Sequence, residues 1–62
     1  MGLKLKIKRI EKGIQQKELA KSLGISQQYL SKLESEQPTN PSNELMSNIA
    51  QQLETSVQEL FF

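Results

Sequence analysis

Two adjacent amides, Gln27 and Gln28, followed within one helical turn by a hydroxyl and an ammonium, Ser31 and Lys32, are the residues of this chain best equipped for chemistry. That chemistry is recognition rather than catalysis. A planar glutamine amide can donate to N7 and accept from N6 of adenine at once, lysine reaches guanine or phosphate, and serine adapts to either. The 62 residues contain no His and no Cys, which removes imidazole bases, thiol nucleophiles, disulfides and the usual zinc ligands together. An enzyme is therefore not expected, nor a metal or cofactor.

A partner for these groups is suggested by the distribution of charge. The net charge is only +1, but residues 1–32 hold all eight basic side chains (Lys4, Lys6, Lys8, Arg9, Lys12, Lys17, Lys21, Lys32) against Glu11 and Glu18, a balance of +6. Residues 33–62 carry Glu34, Glu36, Glu44, Glu54 and Glu59 and no base, a balance of −5. Such segregation suits one face meeting a polyanion. No apolar run approaches the roughly 20 residues that span a bilayer, and the basic start lacks the apolar stretch of a signal peptide. A soluble, cytoplasmic protein without a membrane partner is expected.

At this length the chain holds one domain, residues 1–62, near the size at which a single core only just outweighs chain entropy. Over residues 3–8 apolar and charged residues alternate strictly, the period of a strand, but the longer spacing Leu3, Ile7, Ile10, Ile14 favours an amphipathic helix over about Leu3 to Lys12 that buries this stripe. Gly13 and Lys12 fit its end. A second helix is expected over Gln16 to Leu23, closed by Gly24, and a third over Gln27 to about Ser35, capped by Ser26 and buried through Leu30 and Leu33. Glu36 to Pro41 reads as an ordered loop with two prolines. Ser42 then caps a fourth helix, Asn43 to about Leu53, buried through Leu45, Ile49, Ala50 and Leu53; Ser56 and Glu59 fit a capping box that opens a short fifth helix. The fold class is all-α.

The stretch Gln16 to Ser35, QKELAKSLGISQQYLSKLES, joins two short helices through a very tight connection. Two helices crossing at roughly 90–120° approach closely only where the crossing residue is small, and the turn needs a residue that accepts positive φ. Ala20 and Gly24 answer both needs. With Leu30 and Leu33 inward, Gln28, Ser31, Lys32 and Ser35 turn outward and Gln27 projects from the first turn, leaving one face free to enter a DNA major groove.

On these residues the chain resembles the Cro and repressor family of bacterial and phage helix-turn-helix regulators over nearly its whole length. The resemblance implies a lambda-repressor-like five-helix domain, its helix-turn-helix formed by the second and third helices, that binds double-stranded DNA in the cytoplasm. Ser26-Gln27-Gln28 resembles repressors in which paired glutamines read bases, so Gln27 and Gln28, with Ser31 and Lys32, are the expected base readers. Gln16 stands where a glutamine opening the second helix meets phosphate, and Asn40-Pro41-Ser42 resembles the lead-in to the fourth helix where backbone N–H groups meet phosphate. The expected phosphate contacts are Arg9, Gln16, Lys17, Ser26, Tyr29, Thr39 and Asn40. The ending Ser56 to Phe61 resembles the fifth helix through which such domains often pair, so Val57, Leu60, Phe61 and Phe62 are expected dimer contacts, or else core. Departures from the pattern are Gln15 in place of a capping Ser or Thr, Lys8 at a position often Leu, and Glu36 and Glu54 where glycine is frequent.

A homodimer is also expected on physical grounds, because one module this small makes too few base contacts for useful specificity. The rival reading is a protein-interaction module, or an antitoxin of the same fold that grips its partner through the acidic half. Lys17, Lys21 and Lys32 around the third helix favour DNA, whereas Glu34 and Glu36 favour the rival.

Overall fold

Helix ends in this chain are made by side chains and glycine at the expected positions. The computed structural model describes residues 2–35, 37 and 39–62, and contains α1 (Leu3–Glu11), α2 (Gln16–Leu23), α3 (Gln27–Glu34), α4 (Asn43–Gln52) and α5 (Val57–Phe61). Three serines supply the N-caps. Ser26, Ser42 and Ser56 each accept, through Oγ, the backbone N–H three residues on, at 3.0, 3.1 and 3.2 Å. Each bond satisfies one of the four donors that a helix start leaves unpaired. Gln15 precedes α2 without a side-chain cap. Glu59 does not complete a capping box: its carboxylate turns to Thr55, whose hydroxyl donates to Oε2 at 3.0 Å.

Three helices close in the same way at their C-termini. Gly13, Gly24 and Glu54 adopt φ of 71°, 71° and 55°. The following residue's N–H then reaches back to the helix: Ile14 donates to the Arg9 carbonyl, Ile25 to Ala20 and Thr55 to Ala50, at 3.2, 3.0 and 2.9 Å. These are the reversed bonds of the Schellman closure, and they satisfy carbonyls that would otherwise be orphaned. At Gly24 the left-handed turn lets α3 follow after only Ile25 and Ser26. Glu54 holds the same conformation with a side chain attached.

The core joins all five helices: Leu5 from α1, Leu19 and Ala20 from α2, Leu30 and Leu33 from α3, Ile49 and Ala50 from α4, Leu53 just beyond it, and Leu60 and Phe61 from α5. Ala20, the small residue expected at the crossing, is buried, and α2 packs on α3. α1 bridges α3 and α5, while α4 rests on α5 and α2. Gly2 ties the chain's start to the end of α3 so closely that a methyl group there would fall 1.4 Å from the Leu33 carbonyl oxygen. No helix among the described residues is long and apolar enough to cross a membrane. Glu36 and Pro38, expected in the loop before α4, lie outside the described residues.

One expectation is overturned. The stripe Leu3, Ile7, Ile10 does not face the core; these residues are 48, 47 and 58% exposed, and only Ile14, beyond the helix, packs against the core. The buried side chains of α1 are Leu5 and Arg9, one turn apart. Apolar periodicity points to the wrong face because half of the true one is an arginine, held inside by a partner distant in sequence.

Glu54 offers a direct measure of backbone strain. A non-glycine residue in the left-handed region costs roughly 1–2 kcal/mol, and its exposed ion pair with Lys12, 3.1 Å, returns well under 1 kcal/mol. Glu54→Gly is therefore expected to raise the unfolding free energy by about 0.5–1 kcal/mol in urea denaturation. A loss of stability would show that the Lys12 contact outweighs the strain.

Candidate nucleic-acid interface

The outer face of α3 is set by what its inner face buries. Leu30, Leu33 and Glu34 are buried, and Tyr29 is half-buried against the core. At about 100° per residue this turns Gln28, Ser31 and Lys32 away from the core, while Gln27 projects from the first turn at the edge of the packed face beside Glu34, and all four are exposed. Ser26, Gln28, Tyr29 and Lys32 line one shallow concavity on this surface. Gln28, Ser31 and Lys32 thus share one face, with Gln27 at its edge and Lys17 exposed on the neighbouring α2. Thr39 is half-buried and Asn40 exposed, both in the segment ahead of Ser42. The Ser26 hydroxyl oxygen caps α3, which leaves its O–H free to donate outward.

Behind this face stands a polar network that reaches from the core to the surface. The Arg9 guanidinium grips Glu34 in a two-pronged ion pair, Nε donating to Oε2 at 2.6 Å and Nη2 to Oε1 at 3.2 Å. Its Nη1 donates to the Ile14 carbonyl at 2.8 Å. The Glu34 side chain is only 3% exposed and that of Arg9 11%. Gln16, half-buried at the start of α2, donates from Nε2 to Glu34 Oε1 at 3.0 Å. Gln27 in turn donates from Nε2 to Gln16 Oε1 at 3.2 Å. Among the described residues no buried side-chain nitrogen or oxygen lacks a partner, the condition under which an ion pair so far from water is tolerated.

Two expectations are corrected by this arrangement, and one open alternative is decided. Arg9 is not placed for a phosphate: its guanidinium is buried and committed to Glu34 and the Ile14 carbonyl. Glu34 is not an acidic surface feature beside α3, because it points inward and is neutralised there. Leu60 and Phe61 belong to the chain's own core, leaving Phe62, 81% exposed, and the half-buried Val57 as the outward part of the expected contact at α5. Reasoning from the sequence passed over Glu34 as a structural residue, although its spacing from Leu30, i to i+4, places it on the buried face. The same spacing relates Leu5 and Arg9. No group of three or more potential metal ligands occurs among the described residues.

Comparison with known proteins agrees with this architecture. The helix-turn-helix family pattern matches residues 5–60. The HTH-type transcriptional regulators SinR of Bacillus subtilis (strain 168) and of Bacillus licheniformis are each 37% identical to this chain over 60 residues, which cover 97% of it and 54% of theirs. The chain therefore spans about half the length of these relatives. Its fold is similar to that in a crystal structure of SinR, the master regulator for biofilm formation, in complex with DNA. The TM-score is 0.86 at 36% identity, covering 98% of this chain and 97% of the other.

The cost of the buried pair is testable. Arg9→Met strands the Glu34 carboxylate in the core and is expected to destabilise the domain by about 3–5 kcal/mol. Arg9→Met/Glu34→Leu removes both charges and should return most of that loss in the same denaturation experiment. A single variant within about 1 kcal/mol of the parent would show that water reaches the pair.

Proposed function

Because this chain belongs to the helix-turn-helix family, we propose that it is a sequence-specific DNA-binding transcriptional regulator that lays α3 in the major groove. The observation that carries this reading is the polar face of α3: Gln27, Gln28, Ser31 and Lys32 point outward from a helix whose other side is fully packed. These side chains supply the donors and acceptors that distinguish base edges in the major groove. Lys17, Ser26, Tyr29, Thr39 and Asn40, with Gln16, are the candidates for phosphate, and they fix register rather than sequence. The DNA complex known for SinR, whose fold this chain shares, supports the assignment. The protein does no chemistry on its target; it represses by occupancy, covering an operator that another protein would use.

Two copies on an inverted repeat give the specificity that one copy lacks, with half-sites about one helical turn apart. Val57 and Phe62 beside α5 are the surface that such a pair would share. The inward orientation of Glu34 removes one argument for a protein partner gripped beside α3.

Selection from randomised duplex DNA at one fixed, near-physiological salt tests the proposal without a guess at the target. Enrichment of an inverted repeat with half-sites about 10 bp apart is expected, and an unenriched pool bound by folded protein would overturn it. On the selected site Gln28→Ala should cost about 1–3 kcal/mol, with little effect on random DNA. Lys17→Ala should weaken both alike and flatten the salt dependence by about one unit of slope. Equal losses for Gln28→Ala on both DNAs would refute base reading at that position.

A further inference from the structure

Turning Arg9 inward leaves the aliphatic side of α1 in water. Leu3, Ile7 and Ile10 are all exposed, and their spacing, four residues and then three, is that of the apolar seam between paired helices. A single exposed aliphatic residue is ordinary, whereas a row in register asks for something to cover it. Arg9 leaves the other side of α1 to reach Glu34 at the end of α3, so the row turns away from α3. It continues toward α5. Leu3 and the exposed Phe62 line one concavity with the buried Leu60 and Phe61, and Ile7 lines a second, again with Leu60. The two make a shallow groove between α1 and α5.

Charge is distributed unevenly along this surface. At about 100° per residue Lys6 borders the row on one edge and Lys4 on the other, and both are exposed. Lys8 and Lys12 have carboxylates within 4.0 Å, those of Glu11 and Glu54. Lys4 and Lys6 have none among the described residues. An apolar seam of two turns bordered by such ammonium groups is the complement of a helix that carries carboxylates beside its own apolar stripe. We propose that this face docks an acidic amphipathic helix of another protein, with its apolar side chains on Leu3, Ile7 and Ile10 and its carboxylates beside Lys4 and Lys6.

The same charges argue against the other occupants. A second copy laid along this face would set lysines against lysines, and like charges in contact oppose association. An anionic bilayer would meet Glu11 and Glu59, which line the groove with Lys4 and Lys8; a helix can place a neutral or basic residue opposite those two, and a uniformly charged surface cannot. Leu5 and Arg9 also hold the other side of α1 in the core, so the helix cannot roll to fit a plane. The proposal does not depend on the DNA reading of α3. Phe62 belongs as well to the surface on which two copies would pair, so the test uses Ile7 and Ile10 instead.

The folded chain is used to select from a displayed library of helices about three heptads long. Leucine is fixed at the seam positions, and Glu, Lys, Gln or Ser is allowed at the positions that flank it. Enrichment of glutamate at the flanks is expected. Ile7→Ser and Ile10→Ser, each with the circular dichroism spectrum of the parent, should weaken the enriched helices by about tenfold or more. Lys4→Glu/Lys6→Glu should weaken them by at least about tenfold and, used as bait itself, select lysine at the flanks. Gln28→Ala on α3 should leave their affinity within about twofold of the parent. Enrichment of lysine or neutral flanks by the parent, no enrichment, or binding indifferent to both serine variants would overturn the proposal. Binding to phosphatidylglycerol vesicles that Ile7→Ser abolishes, with no glutamate-flanked helix selected, would overturn it in favour of a lipid surface. Self-association in sedimentation that Ile7→Ser abolishes would overturn it in favour of a second copy.

Discussion

Taking a guanidinium and a carboxylate out of water costs several kcal/mol for each ion, and only good geometry with every remaining lone pair and proton engaged repays it. In this domain Arg9 and Glu34 meet that condition. Three guanidinium nitrogens are used, two on the carboxylate and one on the Ile14 carbonyl, and the carboxylate accepts a further bond from Gln16. The pair fixes which face of α1 turns inward, ties that helix to the end of α3, and through the Ile14 carbonyl holds the turn into α2. The opposite face of α1 carries Leu3, Ile7 and Ile10, which this packing leaves exposed.

The rest of the fold is economical in the way a 62-residue chain must be. Among the described residues, ten buried apolar side chains drawn from every helix and from Leu53 just beyond α4 form one core, with partly buried neighbours such as Leu23, Ile25 and Leu45 around it. Little area is available to offset loose ends, and six helix boundaries are closed locally: serine hydroxyls at three starts, a left-handed residue after α1, α2 and α4. Two of those left-handed residues are glycine. The third, Glu54, adopts the same conformation with a side chain attached and makes the same reversed closure, Thr55 donating to the Ala50 carbonyl.

The same economy shapes the candidate interface. α3 has eight residues, and it divides them between a packed side and an exposed polar side with little between. Because its packed side includes a carboxylate, the boundary between core and surface is polar, and the side chain of Gln16 occupies it. The helix-turn-helix unit is thus more than two helices at a fixed angle. It carries a hydrogen-bonded connection from the centre of the domain to the first residue of α3.

Much of this was legible in the sequence because it depends on neighbours along the chain. Caps, glycine closures and the outward set Gln27, Gln28, Ser31 and Lys32 follow from local spacing, and the resemblance carried by Ala20, Gly24 and Ser26-Gln27-Gln28 pointed to the family. What spacing could not decide was the rotation of α1 and the fate of its charges. Arg9 and Glu34 are 25 residues apart, and read singly each is a solvated ion; only when α1 and α3 pack do they become a neutral unit that can be buried. Leu60 and Phe61 were open between core and partner for the same reason, since an apolar residue near a chain end records that it will be covered and not by what. Neighbours along the chain are enough to set the helices and the outward polar face of α3. Tertiary packing decided which charges are inside, because the free energy of an ion depends on its distance from an opposite charge and from water, and neither distance is written along the chain.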